Sequence, residues 1–396
     1  MSDFRLETGR LLLREMTQAD YPALAAILRD PQVMYAYEHA FSPGETQAWL
    51  DRQRDRYALY GHGLWAVVRK ETGRMIGQCG LTWQVWRDST VLEVGYHLRR
   101  DCWGRGYATE AARACIRYAF EVLGAPRVHT IIRDTNLASQ AVARRCGLKV
   151  SDRWVKHYRG MEMPHLLFRL DSPVSRPQKE PLPLTVRQAR PDDREEVERL
   201  TREAFWDVHR PGCSEPLLVR RLWTSPALVP ELALVAQGEQ GLAGSILFTR
   251  AVLLREEAPP LPVLSFGPLA VLPACQGKGV GQALIARGKA AARAMGYDAI
   301  VIFGDPDYYR RAGFIPGEMY GITDSRGLYA AALLACELVP GVLDGCGGRF
   351  VRDPVFETDP AEAAAFDRRF PPRAAHARLP SQRRFELLAS MKRPRP

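Results

Sequence analysis

Twice in 396 residues the chain runs from an apolar strand through a short glycine-rich loop into an alanine-rich helix, at Trp103-Gly104-Arg105-Gly106-Tyr107-Ala108 and at Gln276-Gly277-Lys278-Gly279-Val280-Gly281. Glycine has no Cβ, so backbone N–H groups in such a loop can converge on an anion. The positive end of the following helix favours negative charge at the same place. Each loop follows a similar opening, Arg14-Glu15-Met16-Thr17-Gln18-Ala19-Asp20 in the first half and Arg187-Gln188-Ala189-Arg190-Pro191-Asp192-Asp193 in the second. Ninety residues separate Arg14 from Gly104, and 92 separate Arg187 from Gly279. A chance glycine cluster would not keep that register, so the spacing points to a tandem duplication with two sites for one phosphate-bearing cofactor.

The segment between the halves, DSPVSRPQKEPLPL from Asp171 to Leu184, carries four prolines and breaks any helical or strand period. It divides the chain into a first domain at 1–171, a Pro-rich linker at 172–183, a second domain at 184–370 and a basic tail at 371–396, read as a solvated terminus. The first domain opens with a strand at Leu11 to Leu13 and a helix at Ala19 to Leu28 that Thr17 can cap. A second helix is capped by the Ser42-Pro43-Gly44-Glu45 box and terminated at Gly61. Strands are expected at Leu64 to Arg69, Met75 to Leu81 and Val91 to Leu98. Then come helix Thr109 to Leu123, strand Val128 to Arg133, a short helix after Asn136 and strand Pro164 to Arg169. The second domain repeats the order with strands near Leu184 to Arg187, Leu232 to Ala236, Gly244 to Leu254 and Val263 to Val271. Helix Gln282 to Met295 and strand Ala299 to Phe303 follow. Both halves are mixed α/β units.

Composition narrows the function classes. The eight cysteines are scattered without a C-x-x-C pair and the chain starts with a charged segment, a pattern that points to a reducing cytoplasm. The apolar stretch from Leu328 to Leu343 is interrupted by Glu337 and Pro340-Gly341, so no membrane segment is expected. A net charge of +10 would suit an anionic partner, but the arginines are spread along the chain and no Arg-aromatic recognition module occurs, so nucleic acid is not expected. The eight histidines show no paired-ligand spacing, and no metal site is expected.

Neither loop completes G-x-G-x-x-G and no G-x-x-x-x-G-K-[ST] exists, which disfavours the usual NAD and ATP motifs. A loop of form [QR]-x-x-G-x-[GA] between strand and helix resembles the acyl-CoA loop of GCN5-related N-acetyltransferases. Gln276 to Gly281 fits it fully, while the first loop departs with Trp103 in place of Gln or Arg. Trp103 to Ala111, Asn136-Leu137-Ala138-Ser139 and Cys146-Gly147-Leu148 are similar to the ribosomal-protein N-acetyltransferase branch. Gly267 to Val271 and Gly304 to Phe314 look like the YhbS-type branch. The resemblance covers about residues 4–170 and 184–355. It implies an α/β (α+β) fold of two tandem GNAT-like domains, each a twisted mixed sheet flanked by helices. It also implies acetyl-CoA as cosubstrate, with its pantetheine arm in a gap beside the fourth strand and the amine entering from the opposite side. The cofactor-binding residues it implies are Leu98, Trp103, Gly104, Arg105, Gly106, Tyr107, Ala108 and Asn136 in the first half. In the second they are Leu269, Val271, Gln276, Gly277, Lys278, Gly279, Val280 and Gly281.

Acetyl transfer to an amine needs a neutral nitrogen, a stabilised oxyanion and a proton for the departing sulfur. Strand alternation puts Val91, Glu93, Gly95 and His97 on one face. The resemblance makes Glu93 the candidate base, with His97 as the alternative, and backbone N–H groups around Leu98 and Val271 the oxyanion donors. Tyr309, four residues before Gly313, is the candidate acid. The first half has Ala143 in the corresponding place, with Ser139 left to hydrogen-bond the sulfur. The second half has Ser265 and Phe266 where a base is expected, with Asp305 a weak substitute. The expected function is transfer of acetyl from acetyl-CoA to a primary amine, a protein N-terminus or a small molecule. The alternative is a CoA-binding regulatory or structural module with degenerate catalysis, and the oligomeric state is open.

Overall fold

The computed structural model describes residues 4–37, 39–87, 89–158, 161–173, 182–256 and 258–395. The chain divides into two compact units, Met1–Pro177 and Gln178–Pro396. Most of the expected linker, residues 174–181, lies outside the described residues.

In the first unit the order is β1 (Arg5–Glu7), β2 (Leu11–Arg14), α1 (Tyr21–Leu28), α2 (Pro43–Tyr60), β3 (Leu64–Arg69), β4 (Met75–Trp86), β5 (Ser89–Leu98), α3 (Tyr107–Glu121), β6 (Arg127–Arg133), α4 (Leu137–Arg145), β7 (Lys149–Tyr158) and β8 (Met161–Asp171). These strands form one sheet in the order β1-β2-β3-β4-β5-β6-β8-β7. The Ser42–Glu45 capping box and the left-handed Gly61, φ +68°, bound α2 as the sequence suggests. Leu92, Val94 and Leu98 of β5 share a core with Ala111, Ala112 and Cys115 of α3. The small residues of α3 let the helix lie close to the sheet, bringing Cys115 Sγ within 3.6 Å of Cys79 Sγ.

The second unit runs β9 (Thr185–Gln188), α5 (Arg194–Phe205), α6 (Glu215–Leu222), β10 (Leu228–Gly238), β11 (Gly241–Leu254), β12 (Leu261–Val271), α7 (Val280–Ala294), β13 (Ala299–Phe303) and a one-turn α8 (Pro306–Tyr309). It continues with short strands β14 (Ile315–Pro316), β15 (Ile322–Thr323), β16 (Leu328–Ala330), β17 (Leu333–Glu337) and β18 (Gly348–Arg352), then α9 (Pro360–Asp367), α10 (Pro380–Ser390) and β19 (Lys392–Pro394). The main sheet is ordered β14-β17-β13-β12-β11-β10-β9.

Both main sheets contain one parallel step that barely holds. β5 and β6 share a single register pair, Glu93 with His129, and β12 and β13 share only Leu264 with Ile300. By contrast β4 and β5 pair continuously from Gly77–Leu98 to Trp86–Ser89. Past the one bridge the parallel strands diverge, and the sheet opens towards the glycine loop that follows β5 or β12.

The duplicated openings have one physical cause. Arg14 donates two hydrogen bonds of 2.8 Å to the Asp20 carboxylate, which also accepts from Thr17 N–H at 2.8 Å. Arg187 does the same to Asp193 at 2.7 and 2.9 Å, and Asp193 accepts from Arg190 N–H at 2.6 Å. Each pair ties the strand to the start of the following helix. The loops align more tightly than the sequence count suggested. By conformation Gly104 (φ +73°) matches Gly277 (φ +71°), and Gly106 (φ +81°) matches Gly279 (φ +85°). The interval from Arg187 to Gly277 is then 90 residues, identical to that from Arg14 to Gly104.

Two expectations need correction. β7 was not foreseen, because its run of alternating charged residues resembles exposed loop; it pairs along β8 and brings Trp154 against Trp86 at 5.6 Å. Residues 371–395 are largely exposed but not without structure. They form α10 and β19, and β19 pairs with β16.

The Arg187 guanidinium and the Arg190 N–H hold the Asp193 carboxyl below its ordinary value of 3.8 against an opposing contribution from burial. A depressed carboxylate stabilises the folded state above its unfolded pKa and ceases to do so as the pH falls through the folded one. Arg187→Ala is therefore expected to cost about 2 kcal/mol at pH 7, with the difference from the parent shrinking below about pH 4. Urea denaturation of the full chain at both pH values checks this, and a difference independent of pH would contradict it.

Candidate functional site

Each glycine loop is fastened by one side-chain N–H. Trp103 Nε1 donates to the Leu98 carbonyl at 2.9 Å, and Gln276 Nε2 donates to the Val271 carbonyl at 3.1 Å. An indole and an amide thus close the same five-residue span from strand end to loop, which accounts for tryptophan at the glutamine position. A Cβ at Gly104 or Gly279 would meet nothing within 4 Å, so the positive φ and not crowding calls for glycine there. Helices α3 and α7 both start on a glycine that has no side chain to cap them. The first-turn amides of Tyr107 to Thr109 and Val280 to Gln282 therefore have no intrahelical acceptor and converge with the helix dipole on one anion position. The Thr109 hydroxyl, in the same turn, is buried with no hydrogen-bond partner among the described residues. Arg10 braces the first loop by bonding Glu110 at 2.7 Å and the Arg105 carbonyl at 3.1 Å, with its guanidinium 4.5 Å from the Tyr107 ring centre.

The strand edge completes the cradle. Arg99 N–H bonds Ile76 O at 2.9 Å while Leu98 is in register with Gly77. Antiparallel partners alternate between bonded and non-bonded pairs, so Leu98 and Tyr96 aim their N–H groups away from β4 and into the opening beside β6. Leu272 N–H bonds Ala243 O at 3.0 Å with Val271 in register with Gly244, so Val271 and Leu269 aim theirs beside β13 in the same way. Tyr96 went unnoticed in the sequence, although its parity with Leu98 marks it as the counterpart of Leu269. Its phenol crosses to α4, donating to the Ser139 carbonyl at 2.9 Å, and Asn136 Oδ1 accepts from Ser139 N–H at 3.1 Å. Burial pushes the Tyr96 phenol well above its usual value.

Glu93 lies at the point where β5 and β6 part, and its Oε1 accepts from Ile131 N–H at 2.9 Å. Beside it His129 is held neutral, its pKa lowered to about 4 by burial and by the nearby Arg127 and Arg169 charges. His97, the alternative base, is committed elsewhere. Trp49 Nε1, a donor only, bonds Gln78 Oε1 at 3.0 Å, which turns the Gln78 amide nitrogen towards His97 Nδ1 at 3.2 Å. Nδ1 is thus an acceptor, the proton sits on Nε2, and Nε2 faces the Tyr37 hydroxyl at 3.2 Å. With its lone pair occupied and its pKa lowered to about 4 by burial, His97 orients Tyr37 and is not placed to take a proton.

In the second unit Tyr309 packs edge-on to Phe314 and tilted against Phe266, at 5.8 and 5.7 Å between ring centres. A Cβ at Gly304 would fall 2.2 Å from the Tyr309 ring, so only glycine admits it. Burial raises the Tyr309 phenol and keeps it protonated at neutral pH. Its neighbour Tyr308 places its hydroxyl against the first turn of α7, 2.0 Å from where a Cβ on Gly281 would lie. Tyr309 thus packs against β12 through Phe266 and Tyr308 borders the first turn of α7, a contact to which the sequence reading assigned no role. Asp305 is not available as a base, since Arg384 holds it at 2.9 and 3.0 Å. Ser265 and Phe266 are buried, and neither supplies a carboxylate. No group of three or more His, Cys, Asp or Glu among the described residues is arranged to hold a metal. Among the described residues no helix is long and apolar enough to cross a membrane.

Residues 10–149 match the acetyltransferase (GNAT) domain and residues 200–314 the acetyltransferase (GNAT) family. The chain is 37% identical over 148 residues to YkkB of Bacillus subtilis (strain 168), covering 37% of this chain and 86% of that protein. It is 30% identical over 136 residues to the N-acetyltransferase p20 of Bacillus licheniformis, covering 34% and 76%. The chain belongs to the GNAT family. Among solved structures, the Escherichia coli YhbS acetyltransferase in complex with CoA is 24% identical, with a TM-score of 0.40 over 45% of this chain and 94% of that one. The tandem GNAT protein is accordingly an acetyl-CoA-dependent acyltransferase with two family domains in one chain. The uncapped helices, paired left-handed glycines and orphaned Thr109 hydroxyl fit that cosubstrate's phosphates.

At pH 7 the His97 imidazole is expected to be the neutral Nε2–H tautomer and to stay neutral down to about pH 5. The unfolded chain protonates it near the ordinary 6.5, so this site loses folding stability as the pH falls from 6.5 towards 4. Nitrogen-15 NMR of the imidazole checks both points; an Nδ1–H tautomer or titration near 6.5 would contradict the arrangement.

Proposed function

We propose that the GNAT protein acetylates a primary amine, either a protein N-terminus or a small molecule, and that the two halves contribute unequal catalytic groups. In the first half Glu93 serves as general base. Its carboxylate accepts from Ile131 N–H where β5 and β6 part, and this observation supports the reading. Amines are mostly protonated at neutral pH, so an oriented carboxylate that removes the proton, directly or through water, raises the reactive fraction. The N–H groups of Leu98 and Tyr96 then face the carbonyl oxygen as charge develops on it. Asn136 and Ser139 fix the start of α4 beside the same opening.

Acetyl-CoA supplies the thioester. The amine nitrogen forms a bond to the acetyl carbon, the carbon–sulfur bond breaks, one amine proton passes to the base and the sulfur receives a proton. In the second half Tyr309 is the donor of that last proton, since its phenol is protonated and rigidly packed. Leu264, Ser265 and Phe266, on the stretch of β12 that corresponds to Glu93, carry no carboxylate, so this half suits an acceptor that is already neutral, whose surplus proton passes to water or back to the Tyr309 phenolate. Trp103 to Ala108 and Gln276 to Gly281 hold the phosphates, with Leu269 and Val271 supplying strand N–H groups in the second half.

The decisive experiment is a panel of N-terminal peptides, polyamines and aromatic amines assayed for CoA release. Glu93→Gln is expected to lower kcat by about a hundredfold for first-half acceptors, and Tyr309→Phe by a similar factor for second-half acceptors. The KM for acetyl-CoA should remain within about threefold in both. Unchanged turnover in both variants, with acetyl-CoA binding intact, would leave a CoA-binding module and overturn the catalytic reading.

A further inference from the structure

Residues 371–395 form a strap across the second unit, from which Arg384 reaches the tyrosine-bearing helix. The strap is anchored at one end by His376, whose N–H and Nδ1 meet the Asp207 carboxylate at 3.1 and 2.8 Å. Gln382, inside α10, bonds the Asp207 carbonyl at 3.1 Å and the His376 carbonyl at 2.8 Å. At the other end β19 is paired to β16. Between these anchors Arg384 projects from α10, and its guanidinium bonds both acidic side chains at the start of α8: Nε to Asp305 at 2.9 Å, one terminal nitrogen to Asp305 at 3.0 Å, and the same nitrogen to Asp307 at 2.9 Å.

These two carboxylates set the geometry of α8. Asp305 caps the helix by accepting from Asp307 N–H at 2.8 Å, and its carbonyl accepts from the N–H groups of Tyr308 and Tyr309 at 3.0 and 3.1 Å. A four-residue helix has too few internal hydrogen bonds to hold itself. Asp307 also pairs with Arg310, and Arg384 is the cation that bridges it to Asp305, offsetting the repulsion between the two carboxylates. The planar fork of arginine fits both at once, which a lysine point charge does not.

We propose that Arg384 is a positioning residue for acetyl transfer in the second half, acting through Asp305 and Asp307 to aim the Tyr309 hydroxyl. The proposal rests on Tyr309 being the proton donor there. The strap is then part of the catalytic apparatus, although it lies beyond Phe314, where the second family match ends.

The test uses the full chain with the first cradle blocked by Gly106→Val, which forces a β-branched residue to φ +81°. Hydroxylamine serves as acceptor because it is largely neutral at pH 7 and needs no base. Tyr309→Phe is expected to lower kcat by about a hundredfold, and Arg384→Gln by about tenfold with the KM for acetyl-CoA unchanged. The double variant is expected to be no slower than Tyr309→Phe alone, because Arg384 has nothing left to position. Arg384→Lys should recover only part of the loss. Multiplication of the two losses to about a thousandfold would overturn the positioning role. Full activity of Arg384→Gln beside a slow Tyr309→Phe would overturn it while leaving Tyr309 as the acid. Full activity of Tyr309→Phe, or no turnover by the parent, would overturn the underlying reading and the proposal with it. Should Arg384→Gln fail to fold, Asp307→Asn, compared with Arg310→Gln because Asp307 also pairs with Arg310, removes the Asp307 contact and keeps the Asp305 cap. It should give a smaller loss that again adds nothing to Tyr309→Phe.

Discussion

A parallel strand pair that separates after one bridge is the feature on which the rest of each unit depends. In a complete sheet the N–H groups of Tyr96, Leu98, Leu269 and Val271 would be consumed by the neighbouring strand. Because β6 and β13 swing away after His129 and Ile300, those groups face an opening instead. The opening leads to an uncapped helix start, so strand amides and helix amides address the two ends of one extended, phosphate-bearing ligand. Glu93 occupies the fork of the first opening, where its carboxylate accepts a hydrogen bond from Ile131 N–H.

The duplication keeps this frame and varies the chemistry placed on it. The Arg14–Asp20 and Arg187–Asp193 pairs, the left-handed glycines and the N–H donor before each loop recur at a constant spacing. The donor itself has changed from Gln276 to Trp103 without losing its hydrogen bond. The side chains around the openings have not been kept in this way. The stretch of β12 that corresponds to Glu93, Leu264 to Phe266, carries no carboxylate, and the tyrosine pair on α8 is matched by an α4 whose Ala143 is buried. Backbone geometry is the shared requirement of cosubstrate binding, and under the proposed function the acid and base would follow the acceptor of each half.

What could be read from the sequence follows the range of each interaction. The capping box at Ser42, the strand alternation around Glu93 and the loop glycines are local, and they emerged with their residues correct. The commitment of His97 did not, because it runs through Gln78 on β4 and Trp49 on α2, and no spacing rule links three elements. The Tyr308 contact was missed for a related reason, since its closeness to Gly281 exists only once α8 folds back on α7. The C-terminal strap was misjudged from its composition. A run rich in arginine and proline reads as solvated until its partners are known, and Asp207 and Asp305 lie 169 and 79 residues away from theirs.

The central claim is that one chain carries two working cradles built on the same backbone device. Titration calorimetry of acetyl-CoA into the full chain tests it most directly, alongside Gly106→Val and Gly279→Val, each of which places a β-branched residue at a left-handed φ. The account predicts two molecules bound per chain, one per chain in each single variant and none in the double. A stoichiometry of one in the parent, abolished by a single substitution and untouched by the other, would contradict it.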